Sequence, residues 1–237
     1  MFHVPSMAPA PLTPAQPGPV ATPLGLVRPL RLLGKGKSGY SHLAELAGRD
    51  VVLKVMHDEP CSYYRFEGSK VRAEVAAWET LSRLGMPVPA LLSYNVERQF
   101  LVKDYVEGTV AADWAPSPHA LDHAVTQLLG MSRKLQAEGL NIDYFPANFV
   151  VTPHGIHYID YETAPYADAW NLPNWGLYYW ANLGGMHAFR ATGDWRHINV
   201  DETSGQPIRE PFAATVQRWL QDLQHGDHAA DSQGSEQ

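Results

Sequence analysis

The chain has 237 residues, 45% of them hydrophobic and 18% charged, which suits one large domain or two packed lobes with a sizeable core. Eighteen Lys and Arg stand against 25 Asp and Glu, a net charge of −7; this argues against a broad nucleic-acid or anionic-membrane surface but leaves room for a small basic pocket around one phosphate chain. The single cysteine, Cys61, excludes an intrachain disulfide and fits a reducing, cytoplasmic compartment. No apolar run reaches the ~20 residues of a membrane span, and the opening residues do not read as a secretory signal.

Residues 1–24 are rich in Pro and Ala without periodicity and read as a flexible tail, as do residues 225–237, which are almost devoid of apolar side chains. One strand is expected from 26–27 and 30–33 together, and two more at 42–46 and 51–56, joined by a turn at Gly48-Arg49-Asp50. Helical spacing follows over 70–84, with Val71, Val75, Trp78 and Leu81 on one face, a stop at Gly85, and Pro87 and Pro89 forbidding continuation. A strand pair is expected at 90–94 and 100–105. Ser117 caps a long helix, with Pro118 in its first turn and Leu121, Val125, Leu128 and Leu135 along one side. After Gly139 come a polar loop and a hairpin made of 149–151, a turn at Pro153-His154-Gly155, and 156–159. The stretch 170–223 reads as helical and aromatic. This order predicts a two-lobed α+β protein: a strand-rich lobe over 25–104 and a helical lobe over 105–224.

Four groups of residues carry chemistry. Gly34-Lys35-Gly36-Lys37-Ser38-Gly39 is a G-x-G-x-x-G, a pattern that lets backbone N–H groups approach phosphates and that also serves as an ordinary Gly-rich turn. Strand-like sequence follows it, so it belongs between two antiparallel strands and not before a Rossmann helix. Lys54 stands in the apolar run Val52-Leu53-Lys54-Val55; a lone Lys in such a strand usually faces solvent. Glu74, however, falls inside the apolar stripe of the 70–84 helix, and Glu79 near its edge. A carboxylate on a buried face needs a cation, and Lys54 is the candidate; otherwise Glu74 lies at a rim. Finally, Asp143 and Asn148 stand in a loop before a short hairpin, and Asp160 at its far end. An amide and a carboxylate at the two ends of one hairpin suit a hard cation such as Mg²⁺, and Asp143 suits a base or orienter for the transferred group.

Taken in order over about 26–160, these residues resemble the protein-kinase superfamily, in particular its compact bacterial and archaeal Ser/Thr-kinase-like members with a reduced helical lobe. The resemblance implies an ATP- and Mg-dependent phosphotransferase. Gly34, Gly36 and Gly39 would cover the phosphates, Lys54 would hold the α- and β-phosphates and pair with Glu74, Asp143 would be the catalytic aspartate, and Asn148 and Asp160 would bind Mg²⁺. The run Phe100-Leu101-Val102-Lys103-Asp104-Tyr105 leads into a hinge-like segment whose backbone at Asp104 and Tyr105 would contact adenine. Asn141-Ile142 replaces the usual His-Arg, Phe145 stands at the place of a phosphate-contacting lysine, Tyr161-Glu162 replaces Phe-Gly, and no A-P-E follows. The resemblance implies a protein Ser/Thr, or the protein itself, as acceptor, of an identity the sequence does not name, with no nucleic acid and no membrane span expected among the partners. A small-molecule kinase of the aminoglycoside or lipopolysaccharide-sugar type is the alternative, since Asp143-Tyr144-Phe145-Pro146-Ala147-Asn148 matches its D-x-x-P-x-N loop. A nucleotide-binding pseudokinase is another, favoured by Ile142 and Phe145. The segment 168–176, rich in Trp and Asn, reads as a core aromatic cluster with capping Asn residues, or as a wall of an acceptor site.

Overall fold

The computed structural model describes residues 12–60 and 68–222; Cys61, residues 1–11 of the expected N-terminal tail and all of 225–237 lie outside them. The chain mixes an antiparallel sheet with helices and divides into two compact units, Met1–Trp78 with Pro89–Tyr105 and Glu79–Val88 with Val106–Gln237. The division falls within a helix, so 79–88 belong with the second unit and not, as the sequence suggested, with the strand-rich part.

The first unit contains β1 (Val20–Thr22), β2 (Gly25–Lys35), β3 (Gly39–Leu46), β4 (Arg49–Met56), most of α1 (Lys70–Arg83), β5 (Leu91–Asn95) and β6 (Phe100–Asp104). The strands form one six-stranded sheet in the order β1-β2-β3-β4-β6-β5, each neighbour antiparallel. Strand β4 is apolar and rich in β-branched residues, and from Val51 onward every residue is buried, as befits a central strand. Its Val51, Leu53 and Val55 join Val27, Ala44 and Phe100 in one core, and alternation sends Val52, Lys54 and Met56 to the other face. The turn before β4 is Ala47-Gly48, with φ of 52° and 80°, earlier than expected, so β4 begins at Arg49.

The N-terminal boundary is also earlier than composition suggested. Val20 is fully buried and pairs with Val27, Leu12 packs on the same core, and His42 Nε2 donates to the Pro14 carbonyl at 2.8 Å. Residues 12–24 have little apolar content of their own; a strand edge and a core supplied by later residues order them.

The second unit contains β7 (Thr109–Val110), α2 (Pro118–Ala137), β8 (Leu140–Asn141), β9 (Phe149–Thr152), β10 (Gly155–Tyr158), β11 (Ala164–Pro165), α3 (Leu177–Ala181) and α4 (Leu183–Thr192), with helix again over 213–222. Ser117 Oγ accepts from the Ala120 N–H at 3.3 Å and Pro118 opens α2, while Gly139, at φ 68°, turns the chain out of it. Val125, Leu128 and Leu135 of α2 pack with Tyr144, Phe149 and Trp180 in the main core. The expected helical run over 170–223 is broken at 193–212: Gly193 takes φ 74°, Asp201 Oδ1 accepts from the N–H groups of Thr203 and Ser204, and Asn199 bridges to Pro207. Among the described residues, no helix is long and apolar enough to cross a membrane.

Candidate functional site

The residues singled out from the sequence divide between the units: Gly34, Gly36, Gly39, Lys54, Glu74, Asp104 and Tyr105 in the first, Asp143, Asn148 and Asp160 in the second.

In the first unit, β4 register sets Lys54 opposite Ser41 on one side and Leu101 on the other, in the middle of the sheet. Ser69 caps α1, its Oγ accepting from the Arg72 N–H at 3.3 Å. The helix then buries Val71, Glu74, Ala77 and Leu81 at helical spacing, leaving Glu79 exposed. Lys54 Nζ lies 2.6 Å from Glu74 Oε1 with both side chains 7% exposed. The Ser38 hydroxyl, from the Gly-rich segment, donates to the same Oε1 at 2.9 Å. Ser38 thus ties that segment to the ion pair; the sequence reading passed over it, because nothing in the G-x-G-x-x-G pattern specifies the variable positions.

The Gly-rich segment is the tip of the β2–β3 hairpin, closed by the Gly36 N–H donating to the Gly39 carbonyl at 2.9 Å. A Cβ on Gly39 would lie 2.7 Å from the Val55 carbonyl oxygen and 3.2 Å from Met56 Cα, so the fold itself demands glycine there. At Gly34 a Cβ meets nothing within 4 Å, and at Gly36 only the Gly39 oxygen at 3.8 Å. Neither adopts the left-handed backbone. Packing therefore accounts for Gly39 and not for Gly34 or Gly36, whose missing side chains leave a bare backbone that a ligand can approach closely.

His57, also absent from the sequence reading, holds this tip from β4's far end. Its Nε2 donates to the Gly36 carbonyl at 3.0 Å, its N–H to the Ser38 carbonyl at 3.1 Å, and its Nδ1 accepts from the Glu59 N–H at 3.2 Å. Its ring meets Tyr40 edge-on at 5.2 Å. On the exposed side, Lys35 pairs with Glu59, and the Tyr40 hydroxyl donates to Glu59 at 2.7 Å. At the end of β6, the Asp104 N–H donates to the Ala90 carbonyl at 2.9 Å and its carboxylate pairs with Arg49 at 3.5 Å. That N–H is committed within the unit.

In the second unit, β9 and β10 pair from Phe149–Tyr158 to Thr152–Gly155, and the Ile159 N–H donates to the Asn148 carbonyl at 2.9 Å. The ladder therefore brings Asn148 and Asp160 to the same end of the hairpin. Asn148 Nδ2 donates to the Asp143 carbonyl at 3.3 Å, so Oδ1 is the amide atom that could serve a cation. Asp143 Oδ1 accepts from the Phe145 N–H at 3.1 Å, and Asp160 Oδ1 from the Tyr161 N–H at 3.0 Å. The Tyr158 phenol is driven well above its ordinary pKa, first by complete burial and then by the negative charges of Asp160, Asp143 and Glu162. Tyr179 is also raised, by burial and then by Asp143. One phenol thus feels all three carboxylates. Among the described residues no three His, Cys, Asp or Glu side chains gather to hold a metal ion; a cation at this end of the hairpin would have to draw on Asn148, Asp160 and oxygens from elsewhere.

The loop carrying Asp143 is fixed from behind. Fully buried Trp180 donates Nε1–H to the Tyr144 carbonyl at 2.9 Å, Ile142 is buried in the main core, and burial pushes the Tyr144 phenol up to about 12. Phe145 packs edge-on against Tyr179 at 5.0 Å and Phe189 at 6.5 Å. An apolar cluster thus occupies the place where the resemblance expects a lysine. In the 168–176 segment, Asn171 Oδ1 accepts from the Asn174 N–H at 2.7 Å, and Trp175 stacks edge-on with Tyr179 at 4.9 Å while donating Nε1–H to the Gly205 carbonyl at 2.8 Å. These are capping and packing roles.

The chain matches no protein-family model and no curated protein sequence.

Proposed function

We propose that the chain follows the two-lobed protein-kinase plan and is an ATP- and Mg²⁺-dependent phosphotransferase acting on an alcohol, a protein Ser or Thr. The observation that carries the reading is the buried Lys54–Glu74 pair joined to the Gly-rich tip through Ser38. A buried ammonium held beside a bare-backbone hairpin tip suits a polyphosphate, because the ammonium supplies a fixed positive charge and the tip admits close approach of the phosphates. Glu74 orients Lys54, and Gly34 and Gly36 admit the phosphates. Asn148 Oδ1 and Asp160 would hold Mg²⁺, which when bound neutralises phosphate charge. Asp143, held by the Phe145 N–H, accepts the acceptor hydroxyl's proton.

A small-molecule acceptor is the second reading, and the packing of half-buried Phe145 against Tyr179 and Phe189 favours it. The position that gives protein kinases a phosphate-contacting cation is here committed to packing, in a D-x-x-P-x-N loop. The deciding experiment incubates purified protein with γ-labelled ATP and Mg²⁺ alone, with generic protein substrates, and with a panel of sugars and aminoglycosides. Label on protein supports the first reading and label on a metabolite the second. ATP binding without transfer in any arm identifies a pseudokinase, and no nucleotide binding at all overturns the kinase reading.

A further inference from the structure

We infer that His57 is the positioning residue of the Gly-rich tip: it sequesters the carbonyls that would otherwise oppose a polyphosphate, and so sets affinity for the phosphates of a nucleotide and not for its nucleoside part. The inference rests on the nucleotide reading above.

The chemistry follows from which atoms His57 engages. A carbonyl only accepts and a backbone N–H only donates, so contacts with the Gly36 oxygen and the Glu59 N–H fix the ring with its proton on Nε2 and its lone pair on Nδ1. The residue thus donates twice to the tip, from Nε2 to Gly36 and from its own N–H to Ser38. The Gly36 N–H engages the Gly39 carbonyl in turn. Three carbonyls of one short hairpin tip are thereby taken by donors within the protein. A carbonyl dipole turned toward an anion repels it, whereas one locked onto a donor does not compete with the N–H groups that cradle phosphate. The latch is itself well braced: His57 is buried, Tyr40 packs against its ring, and buried Lys70 donates to its carbonyl and to Asp58. Ser38, whose carbonyl His57 holds, is the residue whose hydroxyl reaches Glu74, so the latch also steadies the link to Lys54.

The test uses the full chain, with His57→Phe, which keeps a ring against Tyr40 and removes the side-chain donor, and His57→Gln, which restores an N–H donor. Binding of ATP with Mg²⁺ and of adenosine is measured by calorimetry, with amide exchange over 34–39 and melting temperature alongside. We expect His57→Phe to weaken ATP about tenfold, as the loss of one preorganising hydrogen bond implies. Adenosine should stay within about twofold, exchange over 34–39 should rise, and His57→Gln should recover most of the ATP affinity. Equal losses for ATP and adenosine, or failure of His57→Gln to restore any difference, overturn the assignment. If wild type binds ATP and Lys54→Met weakens it while His57→Phe does not, the His57 role fails and the nucleotide reading stands. If wild type binds neither ATP nor adenosine, both fall.

Discussion

Lys54 Nζ and Glu74 Oε1 meet at 2.6 Å, almost wholly out of solvent, and the same carboxylate oxygen takes the Ser38 hydroxyl, while Glu74 Oε2 is buried without a hydrogen-bond partner. The carboxylate thus concentrates its interactions on one oxygen. Removing the ammonium leaves a buried negative charge with only a hydroxyl in its place, at a cost of roughly 3 kcal/mol. Lys54→Met should lose about that much stability in urea unfolding, and adding Glu74→Gln should restore part of it. A double-mutant cycle showing no coupling would mean that the pair is not an energetic unit.

The three glycines of the tip should separate. Gly39→Ala places a methyl against the backbone of β4 and should cost about 1–3 kcal/mol. Gly34→Ala meets open space and Gly36→Ala only an ordinary contact with the Gly39 oxygen at 3.8 Å; both should change stability by about 0.5 kcal/mol or less, yet weaken ATP binding. Thermal unfolding beside ATP titration reads both, and unchanged ATP affinity in both variants would remove these two glycines from the site.

Asp143 and Asp160 should fail differently when changed to Asn. Asp160→Asn should reduce the Mg²⁺-dependent part of ATP affinity. Asp143→Asn should leave ATP affinity nearly intact and lower single-turnover transfer by ~10²–10⁴-fold, as loss of a general base does. Identical effects of the two changes on binding and turnover would refute the division of roles.

Trp180→Phe keeps a ring in the core but removes the donor to the Tyr144 carbonyl. A buried acceptor left unpaired costs about 1–3 kcal/mol, so denaturant unfolding should shift by that amount. Turnover should fall more than ATP affinity, because the loss is at the loop bearing Asp143.

The hydrogen bond from Arg218 holds Asp122 below the usual carboxylate range, with the Trp219 indole adding to it. A depressed folded pKa contributes stability that is full above the unfolded value, about 3.9, and is lost as pH falls through the folded one. Wild type should therefore lose its advantage over Asp122→Asn as pH drops below about 4, and show a constant difference above about 5. The side chain is 40% exposed, so the advantage should stay under about 1 kcal/mol. Urea unfolding across pH 2–7 measures it, and a difference that does not vary with pH would rule out the ion pair as its source.

Local pattern alone determined much of this protein. The apolar run of β4, the helical stripe that contains Glu74, the Ser117 cap and the β9–β10 hairpin are all written in short-range spacing, and the Lys54–Glu74 pairing followed because a carboxylate inside an apolar stripe demands a cation. Residues 12–24 could not be read that way, since their order comes from a strand edge and a core built by later residues. Nor could the 193–212 stretch, where a turn capped by the Asp201 side chain and the bridge from Asn199 to Pro207 replace helix. His57 was hidden by register. With the turn at Ala47-Gly48, each step back along β3 matches a step forward along β4, so Gly39 faces Met56 and His57 falls beside Ser38; a turn placed later in the sequence loses that alignment. Which glycine serves packing and which leaves backbone bare, and whether Phe145 turns to solvent or to Tyr179, were decided only by tertiary contacts, because each depends on atoms far away in the chain that no local spacing specifies.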